Sequence, residues 1–245
     1  MMFRFYVPPE NIKDNTIEIS GTEAHHLTHV LRKKIGEKII IIDGQGKEYL
    51  TKIRKIHGQK ITADVLSAKS ILPEKLNLTL ACALAKGNRI DYVVEKCTEL
   101  GVKKIIPLLT KNTVVKIERD GKKKLNRWQK IAISAAKQCG CTMLPEITPV
   151  MNFKEVLPQI SQYELSLIAA PGYNGITFKQ ITQKFKQLND VLVFIGPEGD
   201  FSKAEIKEAV VAGCEVFGLG KNILRTDTAA IVASALFCLY YGENR

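Results

Sequence analysis

Long apolar runs are missing from this 245-residue chain. The longest, near Ala229–Tyr241, is broken by Ser234 and falls short of the ~20 residues a membrane-spanning helix needs, so a membrane span is excluded. The opening stretch MMFRFYVPPE has no basic segment followed by an apolar one, so secretion is not expected and a cytoplasmic location is. Cysteine is sparse: six residues, at 82, 97, 139, 141, 214 and 238, include no Cys-x-x-Cys pair. That spacing suits neither a zinc site nor a disulfide framework, and the thiols are expected to be buried in a reducing compartment. Glycine fingerprints are incomplete as well. Gly218-Leu-Gly220 lacks its third glycine, because Ile223 stands there, and no Gly-x4-Gly-Lys-[Ser/Thr] loop or Gly-x-Ser-x-Gly elbow occurs. A nicotinamide or flavin dehydrogenase, a P-loop enzyme and a serine hydrolase of that type are therefore disfavoured.

What is abundant is positive charge. Lys and Arg number 36 against 25 Asp and Glu, a net charge of +11, with 45% hydrophobic residues as in an ordinary globular protein. The excess lies in the first 150 residues: +4 over residues 1–75, +8 over 76–150 and −1 over 151–245. Arg32–Lys34, Lys52–Lys55 and Lys122–Lys124 form basic clusters. Such a distribution is the footprint of a polyanion binder, or else of a solvated, soluble surface. His25, His26 and His29 sit beside the first cluster without a carboxylate or cysteine at ligand spacing, so they suit a polar, RNA-facing surface and no metal site is expected.

The pattern changes once along the chain. The first ~70 residues read as short strands with tight turns and one helix, a small barrel. Ser20-Gly-Thr-Glu23 resembles a capping box, with Ala24, Leu27, Val30 and Leu31 following at helical spacing. Strands are expected at 38–42, 49–56 and 60–65, and Ile71–Lys75 reads as a linker because Pro73 interrupts any continuing element. The domains are thus expected at 1–72 and 73–245. From Leu76 onward strands (76–84, 102–109, 165–170, 191–195, 215–219) alternate with helices (89–100, 122–138, one capped at Ser202-Lys-Ala-Glu205, and 227–241). Helical stripes are Trp128, Ile131, Ala135 and Cys139 in one helix, and Ile206, Ala209 and Val210 in another. This alternation predicts an α/β domain with a mainly parallel sheet.

In such a sheet, ligands bind beyond the carboxyl ends of the strands. Three loops that leave those ends are rich in Gly and Pro: Ala169-Ala170-Pro171-Gly172, Ile195-Gly196-Pro197-Glu198-Gly199, and Leu219-Gly220 through Ile223, Leu224 and Arg225. The second runs straight into a capped helix, whose amides favour an anionic or polar ligand. Three such loops together point to a small-molecule pocket.

These residues also resemble a known family. His25-His-Leu-Thr-His-Val-Leu-Arg32, Lys86-Gly-Asn-Arg-Ile-Asp91 with Lys96-Cys-Thr-Glu-Leu-Gly-Val102, Arg127-Trp-Gln-Lys-Ile131, Ile195-Gly-Pro-Glu-Gly199 and Leu219-Gly-Lys-Asn-Ile-Leu-Arg-Thr-Asp-Thr-Ala229 are similar, in order, to motifs of the RsmE family. Its members are S-adenosyl-L-methionine-dependent methyltransferases acting on N3 of a uridine in small-subunit (16S) ribosomal RNA. The resemblance implies a PUA-like β-barrel followed by a SPOUT domain with a C-terminal trefoil knot, and a homodimer formed through that domain. It implies that the cofactor is held by Ala169 to Gly172, by Ile195 to Gly199, and by Leu219, Gly220, Ile223, Leu224 and Thr228. The expected partner is small-subunit ribosomal RNA in the assembled subunit. The chain departs from the family pattern at Asp200, where a second glycine is usual, at Asp227, where Glu is usual, and at Cys141, where Cys-Gly-Arg is usual.

Methyl transfer to uridine N3 requires an unpaired or flipped base and a cation beside the anion that develops when the imide proton leaves. Arg225 is the expected cation, with a salt bridge to Asp227 or Glu198 as its structural alternative. Glu198 is expected to orient the cofactor, accept the proton, or only cap its helix. Arg4, Arg32, Lys33, Lys86 and Arg89 are the expected RNA contacts. A non-catalytic RNA-binding or ribosome-assembly factor would keep the basic barrel without needing the three loops.

Overall fold

The computed structural model describes residues 2–71, 75–115 and 121–242. These divide into two compact units: the described parts of Met1–Pro73 with Ile133–Leu144, and those of Glu74–Ala132 with Pro145–Arg245. Most of the expected linker, residues 72–74, lies outside the described residues.

The first unit is a six-stranded sheet built from β1 (Arg4–Tyr6), β2 (Ile12–Lys13), β3 (Thr16–Ser20), β4 (Lys38–Ile42), β5 (Lys47–His57) and β6 (Lys60–Ser70). Its order is β1-β4-β5-β6-β3-β2; β1 runs parallel to β4 and the other pairs are antiparallel. Lys38–Ile42 is β-branched at four of five positions, which favours a strand. Register shifts at Leu50/Thr51 and Ile53/Lys55 bend the long β5–β6 hairpin around a core of Phe5, Ile17, Ile19, Leu27, Ile39, Ile41, Ile53 and Ile61. β6 continues to Ser70, beyond the expected end at Val65.

The expected capping box at Ser20 is not formed. Helix α1 (Gly21–His25) starts without a side-chain cap, because Glu23 turns instead to Lys137, 2.6 Å away in the Ile133–Leu144 segment. One π-helical turn, His26–Val30, follows. α1 buries Ala24 and the π turn buries Leu27, but Val30 is 61% exposed, since the wider turn rotates it off the inward stripe. His25 and His29 stack in solvent, with ring centroids 4.5 Å apart and planes at 10°.

The second unit is a wholly parallel sheet. Its strands are β7 (Asn77–Ala83), β8 (Lys104–Leu109), β9 (Glu146–Ile147), β10 (Met151–Asn152), β11 (Leu165–Ala169), β12 (Ile176–Thr177), β13 (Asp190–Ile195) and β14 (Glu215–Gly218). They lie in the order β10-β8-β7-β13-β11-β14-β12, with β9 on β8. The connecting helices are α2 (Arg89–Glu99), α3 (Gly121–Cys139), α4 (Phe153–Val156), α5 (Phe178–Lys184), α6 (Lys203–Val211) and α7 (Thr226–Tyr241). β7, β11 and β13 are buried on both sides along almost their whole length, as continuous apolar strands between helices must be. One core joins Phe153, Ile168, Leu192, Phe194, Phe201 and Ile206. α7 packs on α2, β7 and β13.

Capping chemistry sets the helix starts. The Ser202/Glu205 box forms as expected, and Asn152/Glu155 and Thr177/Gln180 make two more that the spacing left unread. Two expected stripes are corrected. In α6, Glu205, Ile206 and Ala209 are buried while Val210 is 47% exposed. In α3, Trp128, Ala132, Ala135 and Ala136 are buried, Ile131 only partly, and Cys139 is exposed. Cys139 and Cys141 thus depart from the expectation of buried thiols, since both sit where the chain leaves α3 at Gly140 (φ +85). No helix among the described residues is long and apolar enough to cross a membrane.

Candidate functional site

In the second unit, five loops leave the carboxyl ends of β7, β8, β11, β13 and β14 on one edge of the sheet. Three of them enclose a cavity of about 310 Å³, within the range of small-molecule sites. Ala169, Ala170, Pro171 and Gly172 line it from the first loop, Ile195, Gly196, Pro197 and Glu198 from the second, and Leu219, Gly220, Ile223, Leu224 and Arg225 from the third. Thr226 and Ala229, one turn apart on α7, complete the floor.

Gly199 and Thr228 fall outside the lining. Gly199 packs instead against Asn112, whose Cβ is 3.2 Å from where a Gly199 Cβ would stand. Thr228 follows Thr226 by two positions on α7, so helical periodicity turns it away from the face that Thr226 and Ala229 share.

The third loop carries the site's chemistry. Residues 219–224 make no hydrogen bond, main-chain or side-chain, within the described chain. Unpaired amides and carbonyls in sequence are rare in a folded protein unless water or a ligand takes them. Gly172 (φ +80) and Gly220 (φ +118) hold left-handed conformations, and a Cβ on either would meet nothing within 4 Å, so both leave open space.

Glu198 Oε1 accepts from Arg89 Nη1 at 2.9 Å and from the Lys86 amide at 3.0 Å, which ties the second loop to the start of α2. The expected pairing of Arg225 with Glu198 or Asp227 is not made, because Arg89 has taken the one carboxylate. Among the described residues the Arg225 guanidinium is exposed and has no ion pair or hydrogen bond. One carboxylate oxygen of Asp227, Oδ1, is buried without a partner. Nucleophilic catalysis is not in evidence. Cys82, at the end of β7, is held strongly protonated, first by burial and then by Cys97, Asp227 and Glu198, and burial pushes Cys97 up to about 12.

Several contributors had no motif to announce them. Asn112 donates from Nδ2 to the carbonyls of both Gly199 and Asp200 at 2.9 Å, clamping the second loop. Glu205, buried, holds the Asn112 loop through the Lys111 amide at 2.8 Å while capping α6 through Ser202. Tyr173, Asp200, Lys221 and Asn222 also line the cavity. Asp200 sits half-buried at φ +55, and burial raises its carboxyl above the usual range.

The other expected contacts are dispersed. Arg4 pairs with Glu48 at 3.3 Å in the first unit, where Lys33 pairs with Glu37 at 2.7 Å and lies 5.8 Å over the Phe3 ring. Arg32 is exposed on a left-handed backbone, φ +51. Lys86 is exposed beside the cavity loops. Among the described residues no group of three or more His, Cys, Asp or Glu side chains is placed to hold a metal.

With the geometry in place, comparison with known proteins gives a consistent result. A family model described as an RNA methyltransferase domain matches residues 72–238, and one described as an RNA methyltransferase PUA domain matches residues 19–66. The ribosomal RNA small subunit methyltransferase E of a Synechocystis strain is 32% identical over 96% of this chain and 77% of its own length. The Bacillus subtilis protein of the same name is 29% identical over 89% of this chain and 88% of its own. Among solved structures, a Legionella pneumophila methyltransferase in complex with bound SAM superimposes with a TM-score of 0.90 at 31% identity, covering 99% of each chain. A Neisseria gonorrhoeae ribosomal RNA small subunit methyltransferase E bound to S-adenosyl methionine gives 0.89 at 30% identity over the whole of both chains. On this match, which runs through both units, the chain belongs to the RNA methyltransferase family.

Proposed function

We propose that the cavity binds S-adenosyl-L-methionine and that the protein methylates N3 of a uridine in small-subunit ribosomal RNA. The observation that carries the reading is the unpaired main chain of 219–224 facing a cavity of about 310 Å³. These groups fit the cofactor: free amides and carbonyls suit the polar edge of adenine, and Ala169, Ala170, Ile195, Leu219 and Leu224 suit its faces. When bound, the cofactor supplies an electrophilic methyl group on a sulfonium. The protein's own part is to position the base, exclude water and stabilise charge. Glu198, already engaged by Arg89 and Lys86, serves as a clamp on the second loop and not as the proton acceptor. Arg225 is free to face the uridine anion. In the first unit, Arg32, Lys34 and the stacked His25–His29 pair offer an exposed basic and planar surface for RNA.

We further infer that the second unit is of the SPOUT class with its C-terminal segment threaded as a trefoil knot. The insertion of β13 between β7 and β11, with α7 packed back on β7, supports this. The half-open apolar face at the end of α7, with Leu239 61% and Tyr240 55% exposed, supports a homodimer, because an apolar helix face of that kind is costly in water. The form of RNA acted on is, on the same proposal, the assembled subunit in the cytoplasm.

The test is to incubate the purified protein with unmethylated small subunits and labelled S-adenosylmethionine and to identify the product nucleoside by mass spectrometry. Label in N3-methyluridine is expected; label in a different nucleoside refutes the N3 assignment, and no label at all favours a non-catalytic RNA-binding role. Light scattering is expected to give about twice the chain mass of 27.3 kDa. The Asn112 clamp gives a separate check. Asn112→Ala removes both hydrogen bonds to the second loop and is expected to weaken calorimetric binding of S-adenosylmethionine roughly three- to tenfold without changing the fold. Unchanged affinity would show that the loop keeps its shape unaided.

A further inference from the structure

Four charged side chains line the cavity: Glu198, Asp200, Lys221 and Arg225. Glu198 is spoken for by Arg89 and the Lys86 amide, and Lys221 is exposed on the outer loop. Asp200 differs from both. Its backbone is left-handed at φ +55, a conformation that L residues rarely adopt. Its carbonyl is held by Asn112 Nδ2 at 2.9 Å, and its own amide donates to the Pro197 carbonyl at 2.9 Å. Its Oδ1 accepts from the Phe201 amide at 2.7 Å and lies 3.0 Å from where a Cβ on Gly196 would stand, so the carboxylate is pressed against the floor of the second loop. Oδ2 has no hydrogen-bond partner among the described residues, and no cation there is paired with it.

A half-buried carboxylate, fixed at one oxygen and left open at the other, pays part of its desolvation cost with nothing in return. A cationic ligand in the cavity removes that deficit. On the reading that the cavity takes S-adenosyl-L-methionine, we propose that Asp200 is the counter-charge for the cofactor's sulfonium and makes the cavity prefer the charged methyl donor to its thioether product. Donor and product differ by one methyl group and one positive charge, so a carboxylate that faces that charge is felt in one binding constant and not in the other. The same preference speeds exchange after each turnover, since loss of the charge loosens the spent cofactor.

The experiment is calorimetric titration of the wild-type protein, Asp200→Asn and Asp200→Gly with S-adenosylmethionine and, separately, with S-adenosylhomocysteine. Asn keeps the acceptor for the Phe201 amide and tolerates the left-handed backbone, and Gly suits that backbone best, so both variants are expected to fold. The expected result is a roughly three- to tenfold weaker affinity for the methionine form in both variants, with the homocysteine form unchanged. Equal weakening of both ligands would mean that the carboxylate serves a group common to them or only shapes the loop, and would overturn the proposal. Unchanged binding with reduced methyl transfer would overturn it too, placing Asp200 on the nucleic-acid side of the reaction. A wild-type protein that binds neither ligand would remove the cofactor reading itself, a failure distinct from the other two because it precedes any comparison of variants.

Discussion

Arg225→Ala is expected to lower single-turnover methyl transfer by about a hundredfold or more while leaving the calorimetric affinity for S-adenosylmethionine within a few-fold of wild type. The expectation rests on placement. Arg225 stands at the N-cap of α7 with φ −66 and ψ 154, contributes no side-chain cap, and leaves its guanidinium exposed beside the cavity. A cation without a fixed partner has no structural duty to lose, so its removal should cost little stability. In the proposed reaction its worth is electrostatic and is realised only as the uridine imide gives up its proton and negative charge gathers on the ring. Arg225→Lys keeps the charge but not the planar fork, and should recover part of the rate. Near-normal turnover in the alanine variant would take Arg225 out of the mechanism. A large loss of cofactor affinity would instead make it a binding residue.

Gly175→Ala carries the second large effect, this time through the fold. A Cβ at Gly175 would stand 2.5 Å from the Val216 carbonyl oxygen and 3.0 Å from the Phe217 amide, both main-chain atoms of β14. Backbone cannot swing aside as a flexible side chain does, so the first loop must move away from β14 or β14 must shift. Overpacking of this kind costs on the order of 2–3 kcal/mol, which for a domain of this size lowers the melting temperature by roughly 5–10 °C. Because the displaced segment follows Gly172 and because Phe217 and Gly218 line the cavity, affinity for S-adenosylmethionine should fall about tenfold in the same variant. A variant that melts and binds like wild type would show that the loop has slack that the close contact conceals.

The two effects illustrate what could be read from the residues alone. Strand–helix alternation after Leu76 and the apolar blocks at 165–170 and 191–195 follow from short-range periodicity, and the structure contains those elements, as Leu165–Ala169 and Asp190–Ile195. The three Gly/Pro loops could be found because turn chemistry is local, and they line one cavity. Gly175 was not legible: nothing in its neighbours says that β14, forty residues onward, will press on its Cα. Asn112 and Glu205 share this difficulty, since their partners lie 87 to 94 residues away and a lone Asn or Glu has no signature. Ser20 shows the reverse failure. Its spacing to Glu23 was sound, but Lys137 supplied a stronger partner from 114 residues away. The ion pair of Arg89 with Glu198 likewise joins two motifs, 109 residues apart, that each looked self-sufficient.

The recognition proposed for the main chain of residues 219–224 carries an evolutionary consequence. Every amino acid except proline supplies the same amide and carbonyl, so the ligand-facing groups of this loop survive nearly any substitution of its side chains. Lys221, Asn222 and Ile223, all exposed, are therefore free to drift in charge and size without touching what the loop offers. The binding function is inherited as a path of the backbone, held by Gly220 and by the strand and helix at either end. Lineages can thus alter the surface around the pocket, and with it their RNA partner, while the pocket's chemistry stays fixed.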